Sequence, residues 1–293
     1  MTAPSGPMSD SPVASGWPSN LSGIGESLVT SEWAPGHLTV PAAGGGPGVV
    51  VLHDWFGLDR QARSVADRLA AEGWAAFAPD LYQGRLAADA EEAVRLARAL
   101  ESGNLPAELL DAVEVVRALP GGAPGPVAVL GLGFGAALAL YLASLHPQVR
   151  AVVCLDGFPP PGANFGWSGM RAAVLGHACH AEFDRGRQVQ SELRRAGVDA
   201  SLLLYPAAPH GFFDSSRQEA YRRDAAALSW QRTVRFLRQR SATTGASLPD
   251  PRLIQDRGPR SRSSSAARRL SRCVSACPVS LPCPVLYNYV IRS

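Results

Sequence analysis

The sequence contains no lysine, since all 28 basic residues in its 293 residues are arginine. We interpret this as a coding bias and assign it no function. Cysteine is scarce too: of five residues at irregular spacing, two lie in the first 240 residues (Cys154 and Cys179). An odd number of irregularly spaced cysteines in a chain of this length argues against a disulfide framework. Residues 1–16 lack the basic start and apolar core of a secretory signal, so we expect a cytoplasmic protein.

The main body of the chain also lacks a basic surface and a continuous membrane-spanning run. Residues 1–240 carry 20 basic and 23 acidic groups, which predicts no nucleic-acid partner. The uncharged run from Val127 to Leu145 is long enough for a bilayer. Three glycines interrupt it and no second such run exists, so we expect no membrane span.

Three regions differ in composition. Residues 1–24 are rich in Ser, Pro and Gly without periodicity, which predicts a disordered leader. Residues 241–293, with eight arginines and two aspartates, predict a disordered basic tail. Alternatives for this tail are a peptide for anionic partners, a metal site at Cys273, Cys277 and Cys283, or an extension unrelated to the domain. Residues 25–240 are predicted to form a single folded domain.

Within that domain, short apolar runs alternate with amphipathic segments. After a pair of short edge strands in 28–41, the predicted strands are 49–53, 74–78, 127–130, 150–155, 172–176 and 200–205. The predicted helices are 60–72, 88–100, 106–119, one after the glycine cluster, 186–196 and 218–239. This alternation predicts an α/β fold with a mostly parallel sheet and helices on both faces. Functional groups are expected at the carboxyl ends of the strands.

The segment 126–144, PVAVLGLGFGAALALYLAS, is the most informative. An apolar strand enters three glycines at alternate positions, and an Ala/Leu-rich helix follows. This matches the nucleophile elbow, Gly-x-nucleophile-x-Gly, whose central Ser or Cys stands at the tip of a strained turn. Here Gly133 holds that position and has no side chain. A dinucleotide-binding loop is the alternative, but its fingerprint needs a further glycine where Ala136 stands.

His210 follows the last predicted strand in YPAAPHGFF, where the α/β-hydrolase fold places its catalytic base. Four further segments precede His210 in a specific order and spacing: GVVVLHDWFGL, AAFAPDLYQG, GLGFGAA and AAVLGH. With these segments, the chain resembles the dienelactone hydrolase family (carboxymethylenebutenolidase-like proteins) over residues 25–240. The resemblance implies an α/β-hydrolase fold and a small-molecule ester, lactone or carboxylate as the partner, with no cofactor and no metal.

The resemblance also implies catalytic roles for individual residues. The family's cysteine nucleophile corresponds to Gly133, and its histidine corresponds to His210. Its acid corresponds to Glu182, with Asp184 as the alternative because the loop is shorter here. A metal site in His177–Glu182 is disfavoured, since no convincing further ligand is found elsewhere in the chain.

Five further positions concern the oxyanion and the substrate. The resemblance implies an oxyanion hole formed by the backbone N–H groups of Trp55 and Phe134. The family's acidic residue beside the nucleophile corresponds to Asp54, which we take as a substrate-binding candidate. Arg85 is the candidate for binding a substrate carboxylate, one position later than the family's arginine. Asp214 stands where a second arginine is expected, so dienelactone itself is a doubtful substrate.

Glycine at the elbow leaves three hypotheses about function. The chain is a hydrolase by descent with weak or lost activity, a hydrolase in which His210 activates water, or a non-catalytic small-molecule-binding or interaction protein. Cys179 as a relocated nucleophile is a remote further alternative. Whether the protein is an enzyme stays open, and the sequence gives no oligomeric state.

Overall fold

The computed structural model describes residues 35–42, 44–119, 125–160, 163 and 165–242. The predicted leader, half of the predicted edge-strand pair and nearly all of the predicted tail lie outside the described residues.

The described residues form seven strands and six helices. The strands are β1 (Gly36–Thr39), β2 (Gly48–Leu52), β3 (Ala75–Pro79), β4 (Val127–Leu132), β5 (Val149–Leu155), β6 (Ala173–Cys179) and β7 (Ala200–Tyr205). The helices are α1 (Arg60–Ala71), α2 (Ala90–Ser102), α3 (Leu105–Ala118), α4 (Phe134–Leu145), α5 (Phe183–Arg195) and α6 (Arg223–Ala242), with a 3₁₀ turn at Trp167–Gly169.

The strands form one sheet in the order β1-β3-β2-β4-β5-β6-β7. Only the edge strand β1 runs antiparallel to its neighbour among the described pairs. The strand order reverses direction between β2 and β4, which is where open α/β sheets bind ligands beyond the carboxyl ends of their strands. The chain therefore has its topological switch point directly beside the glycine elbow.

Helices cover both faces of the sheet. One apolar layer lies between the sheet and α2 to α5, and contains Leu109, Leu138 and Val189. The other lies between the sheet and α1 and α6, and contains Leu69 and Trp230. The predicted mostly parallel sheet with helices on both faces, the α/β-hydrolase fold, is confirmed. Within the described residues, no helix has both the length and the apolar character that crossing a bilayer requires.

Predicted element boundaries near the candidate site are wrong at the end of β6 and at the starts of α5 and α6. The buried His177 ring contacts the Tyr205 hydroxyl at 2.9 Å and the Thr233 hydroxyl at 3.0 Å. Strand β6 continues through His177 to Cys179, because its last three residues pair with Leu203 to Tyr205 of β7. Helix α5 consequently begins at Phe183 after a short turn. Helix α6 begins five residues later than predicted, because the backbone N–H of Arg222 donates to the carbonyl of Phe212 at 3.0 Å.

Candidate active site

The turn between β4 and α4 has the strained backbone of an elbow, with a glycine at its tip. Gly133 has φ 47° and ψ −112° between β4 and α4, a conformation that strains any residue with a side chain. Its N–H donates to the Leu155 carbonyl at 2.9 Å, which fixes the turn against β5. Gly135 allows close packing, since a Cβ there would collide with the carbonyl oxygens of Leu52 and His53. The three glycines thus fit a tight strand-turn-helix.

The carboxylate of Asp54 occupies the space that a nucleophile would need. Asp54 lies two residues beyond β2, and a Cβ built on Gly133 would overlap its carboxylate carbon and both its oxygens. The backbone N–H of Phe134 donates to Asp54 Oδ1 at 2.7 Å, and the N–H of Trp55 is a second donor to the carboxylate. These are the two groups predicted to form the oxyanion hole. The structure brings them together around Asp54.

Besides these donors, the charged groups of His210 and Asp59 lie near enough to Asp54 to affect its pKa. Desolvation raises the pKa of the half-buried Asp54 carboxyl, and the N–H groups and His210 offset part of this shift. The Trp55 and Phe134 rings stack with their centroids 4.5 Å apart. Burial and the nearby Asp54 charge both raise the pKa of the Tyr82 hydroxyl. The negative charge of Asp54 is therefore stabilised mainly by hydrogen bonds from backbone N–H groups.

His210 lies in the loop after β7, and its partner is a carboxylate that the sequence did not predict. Its Nδ1 is 3.4 Å from Oδ2 of Asp156, and its side chain is 46% exposed. Asp156 follows β5 with φ 55°, and its carboxylate also accepts the backbone N–H groups of Cys179 and Gly211. The buried Asp156 thus joins the loops after β5, β6 and β7 and can orient the imidazole.

The two predicted acids lie elsewhere. Glu182 is the residue before α5, and its Oε2 lies 3.6 Å from Nη1 of Arg185. Burial raises the pKa of Glu182, although the charges of Arg185 and His210 partly oppose this. Asp184 is exposed in the first turn of α5 because that helix begins earlier than predicted. Within the described residues, the ion pair of His210 is with Asp156.

The sequence did not predict Asp156 as the partner of His210, because the family resemblance places the acid in the loop after β6. The available signal was its position at the end of the buried apolar strand Arg150–Leu155, just before Gly157. A Cβ on Gly157 would collide with the Gly133 carbonyl, so the chain after Asp156 packs directly on the elbow. Close packing of this kind is not visible in a single sequence.

The comparisons with known proteins agree with this architecture. The sequence profile of the dienelactone hydrolase family matches residues 35–241. The chain belongs to this family. It is 27% identical over 215 residues to protein usf of Aquifex pyrophilus, covering 70% of this chain and 92% of that protein.

Two solved structures of family members are also similar. The protein m3DLH is 29% identical with a TM-score of 0.63, covering 70% of this chain and 92% of that one. A dienelactone hydrolase-like promiscuous phosphotriesterase from metagenomic libraries is 26% identical with a TM-score of 0.63, at the same coverage. A hydrolase-like fold is therefore shared over the described domain.

The family's substrate-binding arginine has no clear counterpart in this site. Arg85 lies exposed in the loop after β3, where its Nε donates to the Tyr82 carbonyl at 3.3 Å. Asp214 is buried and accepts the N–H of Ser216 at 2.9 Å, which closes a turn. These contacts give Arg85 and Asp214 local structural roles, and a carboxylate-binding role for Arg85 stays a prediction.

One cluster at the site has ligand atoms close enough for a metal ion. The side chains of Asp156, Cys179 and His210 place one ligand atom each within 4.8 Å of one another. Burial, and secondarily Asp156, raise the pKa of the Cys179 thiol to about 12, which opposes the thiolate that a metal would need. Both Asp156 oxygens already accept backbone N–H groups. The donor set therefore fits an acid–base pair better than a metal site.

The structure thus places His210 beside the Asp156 carboxylate and Gly133 beside the Asp54 carboxylate. His210 and Asp156 form the pair that could move a proton. The oxyanion donors are present, but their ligand is the protein's own Asp54 carboxylate. The arrangement is well suited to proton transfer and poorly suited to receiving a substrate carbonyl.

Proposed function

We propose that this dienelactone hydrolase family member is of the carboxylic-ester and lactone hydrolase class by descent, with weak or lost acyl-transfer activity. The observation that carries the proposal is the Asp54 carboxylate, which lies in the oxyanion hole and in the space beside Gly133. A substrate carbonyl would have to displace this anion from both N–H donors. Ester and lactone partners and a cytoplasmic location stay predictions.

The occupied hole also argues against the hypothesis that His210 activates water at this position. A water in the place of the missing nucleophile would compete with the Asp54 carboxylate for the same volume. Acyl hydrolysis further depends on donors for the developing oxyanion, and the loss of one such donor typically costs about 10²–10³ in turnover.

The test is hydrolysis of p-nitrophenyl acetate and γ-butyrolactone by the purified protein. We expect kcat/KM values far below the ~10⁴–10⁸ M⁻¹s⁻¹ of competent enzymes. The His210→Ala variant is compared at the same protein concentration, with His180→Ala, an exposed histidine, as the matched control. Efficient turnover that disappears in His210→Ala alone would contradict the proposal and favour the water mechanism.

A further inference from the structure

The side chains at the switch point keep the spatial order of a catalytic triad with one member exchanged. A carboxylate, Asp54, lies where the nucleophile of the family would be. His210 lies near enough for its charge to lower the pKa of Asp54. Asp156 lies on the other side of the imidazole, at 3.4 Å from Nδ1. Nucleophile, base and acid positions are therefore all filled by groups with the required chemistry.

We propose that Asp54 is itself a nucleophile, and that this site hydrolyses primary alkyl halides through an alkyl ester on the Asp54 carboxylate. The proposal goes beyond the loss of acyl transfer, because it assigns a different reaction to the altered site. Attack on a saturated carbon develops no oxyanion on the substrate. An oxyanion hole filled by Asp54 is therefore no obstacle to the first step.

The first step forms one bond and breaks one. A lone pair on Oδ2 of Asp54 attacks the carbon, and the halide departs into solvent with the electron pair of the carbon–halogen bond. Because the halide leaves as an anion, no proton donor is needed. Phe134 and Trp55 hold the carboxylate in place through their N–H groups during the attack. Desolvation, which raises the pKa of Asp54, makes its carboxylate a stronger nucleophile.

The second step returns the enzyme to its starting state. His210 removes a proton from water, and the water oxygen adds to Cγ of the Asp54 ester. The negative charge develops on Oδ1, which already accepts the N–H of Phe134, and the N–H of Trp55 is a second donor to the same carboxyl group. The Cγ–Oδ2 bond then breaks, and the alcohol leaves with the proton from His210. The Asp54 carboxylic acid that remains loses the second proton of the water to solvent, which restores the carboxylate. The net reaction converts alkyl halide and water into alcohol, halide ion and a proton.

The surroundings suit an apolar alkyl group. The Trp55 and Phe134 rings stack beside the oxyanion donors, and Phe56 is 39% exposed in the same loop as Asp54. His210 is 46% exposed, so water has access to its imidazole. The half-buried Trp55 and the exposed Phe56 thus offer apolar surface near Asp54, and the exposed His210 gives solvent access for the second step.

The experiment uses the full chain with 1-bromobutane and measures bromide release and intact protein mass. We expect bromide release from the wild type and a loss to background in Asp54→Asn, a change of about 10⁴-fold for removal of a nucleophile. His210→Gln should accumulate one butyl group, located on Asp54 by peptide mapping, because the ester is no longer hydrolysed. Asp89→Asn is the control, since asparagine can still cap α2 there.

A single turnover in ¹⁸O-labelled water distinguishes nucleophilic Asp54 from direct attack by water. The proposal predicts unlabelled butanol and ¹⁸O in the Asp54 carboxylate, because the alcohol takes its oxygen from Oδ2. Two results would overturn the proposal. The first is that folded wild type releases no bromide and folded His210→Gln carries no butyl group on Asp54. The second is that alkylation is confined to His210 or cysteine. The p-nitrophenyl acetate assay on the same preparation reports separately on the proposed loss of acyl transfer.

Discussion

The two halves of this site differ in how far they depart from the family pattern. The base half consists of His210 and Asp156, whose carboxylate joins three loops and lies 3.4 Å from the imidazole. In the nucleophile half, a glycine holds the strained turn and a carboxylate from the loop after β2 lies where a Cβ on that glycine would stand. The comparison teaches that a strained strand-to-helix turn can pack against a carboxylate when its central residue is glycine.

The largest expected effect comes from restoring a thiol and removing the carboxylate together. In Gly133→Cys/Asp54→Ala, the new side chain no longer collides with Asp54, and the N–H donors are open to a substrate carbonyl. We expect p-nitrophenyl acetate turnover to rise by at least about 10²-fold, with burst kinetics and an alkylatable thiol.

Gly133→Ala/Asp54→Ala is the matched control, because it carries the same backbone strain of about 1–3 kcal/mol without the thiol. A folded cysteine variant that shows neither gain nor burst would mean that the base half is misplaced as well.

The second prediction tests the base half in that same restored background. His210→Ala should lower the gained turnover by about 10²–10⁴-fold, the usual contribution of a positioned base. The comparison is with His180→Ala, whose side chain is exposed. Equal turnover in both variants would remove His210 from the mechanism.

The third prediction distinguishes Asp156 from the acids that the sequence suggested. In the restored background, Asp156→Asn should reduce turnover by about 10²-fold or more, because the imidazole loses its orienting charge. Asp184→Asn should leave turnover unchanged. A large loss in Glu182→Gln with little effect of Asp156→Asn would return the acid role to Glu182.

The smallest expected effect is a change in stability with pH. The raised pKa of Asp54 means that the folded state holds this proton more tightly than the unfolded state does. The contribution of the Asp54 proton to the free energy of unfolding is therefore fully present at acidic pH and is lost as pH rises through the folded-state pKa. The melting temperature of Asp54→Asn relative to wild type should accordingly increase from pH 4 towards pH 8. A difference in melting temperature that does not change with pH would contradict the raised pKa of Asp54.

Much of the fold could be predicted from the sequence because its signals are local. The alternation of apolar strands with amphipathic helices is enough to indicate the sheet and its covered faces. The three spaced glycines at 131, 133 and 135 indicate the elbow. His210 was predicted from its position after the last strand. The structure places it beside a carboxylate, while its catalytic role stays a prediction.

The rest of the site depends on contacts between distant segments. The bond between Phe134 and Asp54 joins residues 80 positions apart, and it forms only because Gly133 leaves room for the carboxylate. The contact between Asp156 and His210 depends on a positive φ at Asp156, which brings its carboxylate to the loop after β7. Neither is encoded in a periodicity or in the spacing of a motif.

The central claim is that the Asp54 carboxylate is bound by the oxyanion-hole donors. The most direct measurement is a pH titration of the Phe134 amide by ¹H–¹⁵N NMR, with Asp54→Asn as the reference. The account predicts that the Phe134 resonance follows a carboxyl group whose pKa lies above the ordinary aspartate value, and that this titration is absent from the variant. A Phe134 amide that does not titrate in the wild type, or that titrates identically in the variant, would contradict it.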